Sequence, residues 1–360
     1  MLIDVVKVFT PPVISFVIGI LFAPVLTNYL YKHEMWKKKP GKLAGIGGGG
    51  TPIFNELHKL KETGTPRMGG IVIWVSVITT VLGAWLLANL FPGSVTLGKL
   101  DLLSRNQTWI PLFTLAFGAV VGLIDDLMEI KGSGDYKAGG LSLGKRLLIV
   151  ALIALGAASW FYIKLDVHTI GLPSGWGIFD AGPLFIPFFI LVTLAIYSGG
   201  VIDGLDGLSG GIFASMFAAY GGIAFYQQQI NLSAFCFVIV GGILAFLWYN
   251  IPPARFYMTE TGSMGLTITL AVVAFMTDAL GHGYGVIILP VIAFPLVITS
   301  LSVIIQVLSK KFRQGKKILL VAPLHHHFEA IGWPAYKVTM RYWILGVMSA
   351  ILGLVLALIG

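Results

Sequence analysis

The stretch Leu232-Ser-Ala-Phe-Cys-Phe-Val-Ile-Val-Gly-Gly-Ile-Leu-Ala-Phe-Leu-Trp-Tyr-Asn250 contains no Asp, Glu, Lys or Arg. As a helix it spans roughly 30 Å, the thickness of a bilayer's hydrocarbon core. It is apolar on every side, which suits a buried or membrane helix better than a surface one. Working outward, similar runs recur over the whole chain. Ten spans are expected, at about 12–32, 69–91, 108–124, 146–165, 184–202, 208–226, 232–250, 263–281, 284–308 and 341–359. Of the 360 residues 56% are hydrophobic and 11% charged, and mean hydropathy is +0.88. A soluble domain carries roughly a quarter charged residues. That difference excludes a soluble fold, a disordered chain and a nucleic-acid-binding protein. The fold class is all-α, a single polytopic membrane domain over 1–360. The lone cysteine, Cys236, lies within a span and closes no intramolecular disulfide. The first run lacks a small-residue cleavage site and reads as a retained span.

The net charge of +8 is topological in origin. Of 24 Lys and Arg, all but Lys7, Lys99, Arg105 and Lys164 lie in or beside the segments following the odd-numbered spans. Positive residues mark the cytoplasmic side. Cytoplasmic loops are therefore expected at about 33–68, 125–145, 203–207, 251–262 and 309–340, with both termini outside. Eleven of the 16 acidic residues fall in or beside the same loops. A site combining acids, cations and histidines can be assembled only on that side.

Four motifs sit there. Gly122-Leu-Ile-Asp125-Asp126 closes the third span. Adjacent carboxylates at a membrane edge repel each other and resist desolvation. They either mark a helix end in water or share a hard, oxygen-liganded cation such as Mg²⁺. Asp203-Gly-Leu-Asp206-Gly follows the fifth span. On a helix its spacing puts both acids on one face, and Gly204 and Gly207 permit close approach to the backbone. In Asn250-Ile-Pro-Pro253-Ala-Arg255-Phe-Tyr257-Met-Thr259-Glu260 the prolines end a helix. Glu260 then precedes a new helix start, either as a favourable terminal charge or as part of a metal–phosphate site. Pro323-Leu-His325-His326-His327-Phe-Glu329 is either a solvated basic loop or a source of metal ligands and phosphate donors. Three successive histidines cannot all face one way, so at most two serve one site. A fifth segment, His58-Lys59-Leu-Lys61-Glu-Thr-Gly64-Thr65-Pro-Arg67-Met-Gly-Gly70, is weaker, because positive-inside bias alone explains its charge. Together these residues fit Mg²⁺-dependent chemistry on a phosphorylated, membrane-anchored substrate. A transporter would place its polar groups at the bilayer midplane.

With Thr299-Ser-Leu-Ser-Val-Ile-Ile-Gln306 and Gly332-Trp333, these motifs closely resemble the phospho-N-acetylmuramoyl-pentapeptide translocase family (MraY). That family is a branch of the polyprenyl-phosphate N-acetylhexosamine-1-phosphate transferases. The aspartate motifs are shared across the superfamily, the histidine run is typical of the translocase branch, and the likeness covers essentially the whole chain. The resemblance implies transfer of phospho-MurNAc-pentapeptide from UDP-MurNAc-pentapeptide to undecaprenyl phosphate, giving lipid I and UMP in peptidoglycan synthesis. It implies Mg²⁺ as cofactor, a homodimer, and a site on the cytoplasmic face of the bacterial inner membrane. It also implies catalytic roles for Asp125, Asp126, Asp206, His325 and His326, and a metal-ligand role for Glu260. Asp203 would contact uridine and Tyr257 would stack on uracil, with Lys59, Lys61, Thr65, Asn250 and His327 as further substrate contacts. A sister transferase using UDP-GlcNAc and a non-catalytic or transport relative are the alternatives.

Three departures from the family pattern bear on the site. A usual glycine-aspartate pair is here Thr259-Glu260, whose longer acid requires the metal to shift or the backbone to retreat. The usual asparagines before Asp203 are absent from Tyr197-Ser-Gly-Gly-Val-Ile. A lysine usually found after the aspartate pair is replaced by Glu129, with Lys131 nearby.

Overall fold

A computed structural model describes residues 2–38, 63–94, 98, 101–103, 107–132, 140–173 and 177–359. The long helices are α1 (Leu2–Lys32), α2 (Ile71–Leu90), α3 (Trp109–Lys131), α4 (Leu143–Lys164), α5 (Phe185–Ser198) and α6 (Leu208–Tyr226). They continue with α7 (Ile230–Asn250), α8 (Thr259–Met276), the short α9 (Gly285–Ile292) and α10 (Phe294–Phe312). A two-turn α11 (Leu324–Ala330) precedes α12 (Ala335–Ile359). Ten helical segments among the described residues are long and apolar enough to cross a membrane. In hydrocarbon a backbone must satisfy its own polar groups, which a helix does and an open strand does not.

The bundle is organised around α8, almost every residue of which is buried. By contrast α1 and α12 expose Val13, Leu21, Ile344 and Leu352, the apolar surface a lipid-facing helix presents. Small residues let helices approach where no hydrophobic drive separates protein from lipid. Gly118 of α3 accordingly abuts Gly265 of α8 backbone to backbone. At the far end of α8 the rings of Phe189 and Phe275 stack at 4.1 Å, with Phe161 and Phe185 beside them. That end is closed by a two-stranded hairpin, β1 (Thr169–Gly171) antiparallel to β2 (Ile178–Asp180), with Ile170 opposite Phe179.

Several expected boundaries shift. The first span begins at Leu2 and carries Pro11 and Pro12 within the helix. The third does not end at 124. Helix α3 runs to Lys131 and stops at Gly132, whose left-handed φ of 64° is the usual glycine helix stop. Asp125, Asp126 and Glu129 therefore ride on helix rather than opening a loop at 125. They can do so because arginines from two other segments neutralise them. The expected 263–281 span is displaced to Thr259–Met276, leaving Asp278 in the turn beyond it. The ninth span is broken at Ala293, just before Pro295, whose missing N–H is tolerated in a first helical turn. The expected 309–340 loop contains α11 and the start of α12.

Candidate active site

Close backbone contacts assemble the site. Gly122 of α3 rests against the Glu260 carbonyl of α8, where a methyl group would overlap it. Gly70, leading into α2, meets Gly262 in the same manner. Asp125 and Asp126, one turn beyond Gly122, are thereby delivered to the first turn of α8.

Asp126 is fully buried. Its Oδ2 accepts the hydroxyls of Thr259 and Thr261, each at 2.5 Å, and the Thr261 N–H at 2.9 Å. Its Oδ1 faces Arg67 Nη2 at 3.4 Å, and the same nitrogen lies 2.8 Å from Glu129 Oε2. Asp125 reaches a second arginine. Its Oδ1 accepts the Leu141 N–H at 2.6 Å, and its Oδ2 lies 2.9 Å from Arg146 Nη2. Arg146 spends Nη1 on Glu260 Oε1 at 2.8 Å, while Glu260 Oε2 accepts the Tyr197 hydroxyl at 3.5 Å. Asp203 completes the cluster, accepting Ser209 Oγ at 2.6 Å and the Thr259 N–H at 2.8 Å. Burial pushes the Asp203 carboxyl above its ordinary range, against the pull of those bonds and of Arg67. Burial also disfavours charge on Arg67, but Glu129 and Asp126 outweigh it and raise the guanidinium's pKa.

Thr259 holds a left-handed φ of 56°, an outlier for a β-branched residue. Three bonds retain it there: its N–H to Asp203, its hydroxyl to Asp126, and the Met68 N–H donated to that hydroxyl at 3.1 Å.

The histidine run divides as its geometry requires. His325 and His326 are buried with ring centroids 4.3 Å apart, and both Nε2 atoms crowd the position a side chain at Gly204 would take. His326 Nδ1 pairs with Glu329 at 2.8 Å. His327 turns elsewhere and its Nδ1 accepts the Leu320 N–H at 3.3 Å. Two histidines thus meet the 203–207 loop and the third shapes its own. Asp206 Oδ2 accepts the Ala254 N–H at 3.2 Å. Asn250 is buried, its Oδ1 accepting from Gly207 N at 2.9 Å and its Nδ2 donating to Phe256 O at 2.8 Å. Its amide thereby ties the aspartate loop to the segment carrying Tyr257. Tyr257, half-buried, donates its N–H to Pro66 O at 2.9 Å and accepts from Gly69 N at 2.7 Å, which sets it next to Thr65. Lys59 and Lys61 lie outside the described residues.

Sequence reasoning gave no role to Arg146 and only a weak one to Arg67, since positive-inside bias accounted for both. An arginine one turn inside the apolar α4 was the available signal. Thr261 and Ser209 gave none.

Among the described residues five carboxylates here (Asp125, Asp126, Glu129, Asp203 and Glu260) cluster around two guanidiniums, and the buried Asp125 Oδ2 faces Arg146 without a well-directed hydrogen bond. An all-oxygen donor set with excess negative charge suits a hard divalent cation. No three His, Cys, Asp or Glu side chains among the described residues form a protein-only cage. That is compatible with Mg²⁺, which usually takes one or two carboxylates and completes its shell with water and substrate phosphates.

Residues 108–278, which carry most of this cluster, match the family described as glycosyl transferase family 4. Over 94% of both chains the protein is 32% identical to a phospho-N-acetylmuramoyl-pentapeptide-transferase of Listeria innocua. It is also 32% identical to the enzyme of that name from Levilactobacillus brevis, over 94% of this chain and 95% of the other. The Chloroflexus aurantiacus protein of the same name is 35% identical over 83% of this chain and 79% of its own. Identity at this level over nearly the full length, together with ten membrane-crossing segments converging on a buried aspartate pair, places the chain in the phospho-N-acetylmuramoyl-pentapeptide-transferase family.

Proposed function

We propose that this membrane-embedded phosphoglycosyl transferase moves phospho-MurNAc-pentapeptide from its UDP carrier to undecaprenyl phosphate, releasing UMP and forming lipid I. The observation that carries this reading is the buried Asp125–Asp126 pair, bridged by Arg146 to Glu260 and lying beside Asp203. In the proposed step Asp125 takes the proton of the lipid phosphate. The freed phosphate oxygen attacks the sugar-linked phosphorus, forming one P–O bond as the P–O bond to UMP breaks. Asp126 acts beside it as the second catalytic carboxylate, its Oδ2 fixed by Thr259 and Thr261 and its Oδ1 set by Arg67. Asp203 and Tyr257 receive the uridine, and in this reading Thr65, Lys59 and Lys61 are further contacts for the nucleotide. Asp206, His325 and His326 face the diphosphate, while Asn250 and His327 hold the loops that carry them. Glu260 would hold Mg²⁺ together with substrate oxygens, and the metal would neutralise diphosphate charge. The charge distribution supports an orientation with the site on the cytoplasmic face of the inner membrane and both termini outside. A homodimer belongs to the same reading.

The test is UMP release by detergent-purified protein from UDP-MurNAc-pentapeptide and undecaprenyl phosphate, with and without Mg²⁺. Mg²⁺-dependent release is expected. Turnover only with UDP-GlcNAc would reassign the donor, and no release with either would move the chain to a relative that kept the fold and lost the chemistry.

A further inference from the structure

Asp126 is held asymmetrically. All its hydroxyl and backbone donors fall on Oδ2, and they come from two consecutive odd residues of a single helix turn, Thr259 and Thr261. Among the described residues the cation at its Oδ1 is Arg67, which comes not from α3 or α8 but from the segment before α2. Arg67 in turn is anchored by Glu129, and its Nη2 is the one atom within reach of both carboxylates. Glu129 lies three residues beyond Asp126 on α3, so the two acids share a helix face. Left alone they would repel. With the guanidinium between them they form a three-membered array in which Glu129 aims Arg67 and Arg67 sets the free oxygen of Asp126. Arg67 is one-fifth exposed, so the array borders the open side of the cluster rather than its packed interior.

We propose that Arg67 is a positioning residue for Asp126, aimed by Glu129, and that this loop-borne cation does the work a helix-borne cation at position 129 would otherwise do. The inference rests on the transferase reading. It also accounts for an otherwise unfavourable feature, an acid one turn from the aspartate pair. Glu129 is tolerated because Arg67 stands between, and Arg67 stays ordered because Glu129 holds it. A structural ion pair would register in the stability of the fold, and kcat would change only as stability does. A positioning role makes a sharper demand, namely that kcat follow the presence of a cation at Oδ1, whatever its origin and independently of stability.

That demand gives the test. Arg67→Ala, Glu129→Lys and the double variant are compared with wild type in Mg²⁺-dependent UMP release, with thermal unfolding recorded for each. Arg67→Ala is expected to lower kcat between about ten- and a hundredfold while KM for the UDP donor stays nearly constant, the pattern of lost orientation rather than lost binding. Glu129→Lys alone sets two cations against each other and lowers kcat as well. The double variant, with its cation now on α3, is expected to return to within roughly threefold of wild type, a non-additive recovery that marks direct coupling. A double variant that folds but is no better than Arg67→Ala would overturn the proposal, as would an Arg67→Ala protein with wild-type kcat. A fall in thermal stability that tracks the fall in kcat in every variant would reduce the array to a structural ion pair. If wild type itself releases no UMP, the transferase reading fails first and takes this inference with it.

Discussion

Two buried carboxylates, one at each end of α8, show how differently the same group can be used. Asp126 meets two hydroxyls, one N–H and a guanidinium, drawn from two other chain segments, in a cluster with four other acids. Among the described residues Asp278 accepts two backbone N–H groups, from Gly171 of β1 at 2.7 Å and Val286 of α9 at 3.0 Å. Both are almost wholly inaccessible. Burial alone therefore does not identify a site. What separates them is convergence: one acid is a member of a network of carboxylates and guanidiniums, and the other staples a hairpin to a helix start.

The contrast can be tested at each end. Asp126→Asn removes the charge while keeping the shape, and UMP release is expected to fall by about 10²–10⁴-fold, the range for losing a positioned catalytic carboxylate. A variant that retains more than a tenth of wild-type turnover would erase the distinction. Asp278→Asn should leave kcat nearly unchanged and cost about 1–3 kcal/mol of stability, because an amide NH₂ would then face one of two N–H donors. Thermal unfolding in detergent reads that directly, and lost turnover at intact stability would place Asp278 among the functional groups. The pH dependence has a defined sign. Burial pushes the Asp278 carboxyl up to about 6 from an ordinary 3.8. The folded chain consequently binds more protons at this group than the unfolded chain across that interval. Its contribution then favours folding at low pH and is lost as pH rises from about 4 to 6, and Asp278→Asn should flatten that part of the stability profile. The smallest effect is expected at Thr259. Thr259→Gly relieves a strained φ, worth about 1–2 kcal/mol, but loses a hydroxyl bonded to a carboxylate, worth about 1.5–3 kcal/mol. Net stability should move by no more than about 1–2 kcal/mol, whereas Thr259→Val keeps the strain, loses the bond and should be clearly less stable. Equal stabilities for the two would mean that the strained φ costs nothing.

Much of this architecture could be read directly. Apolar run length gave the number of spans and their approximate places, and residue type and spacing singled out Asp125, Asp126, Asp203, Glu260 and two of three histidines, which meet at one end. Hydropathy failed where a tertiary partner overrides it. Helix α3 continues through Asp125, Asp126 and Glu129 because Arg67 and Arg146 arrive from elsewhere, and no local pattern encodes an arrival. The break at Ala293 was hidden for the opposite reason, since the run on either side is continuously apolar. Thr259 was visible as a departure, but its left-handed backbone and its bond to Asp126 emerge only once two helices are set side by side.

The contact between Gly122 and the Glu260 carbonyl acts as a mechanical stop. Neither helix can yield to make room at that point, so the gauge between them is set by main-chain atoms and cannot be retuned by changing a side chain. The additional methylene of Glu260 has one direction left, outward from α3 and α8 and onto Arg146 of α4. Positions 146 and 260 are in effect a lock and its key cut to the same length. Shortening the acid without replacing the arginine would open a gap in the wall of the site that no movement of the bundle could close.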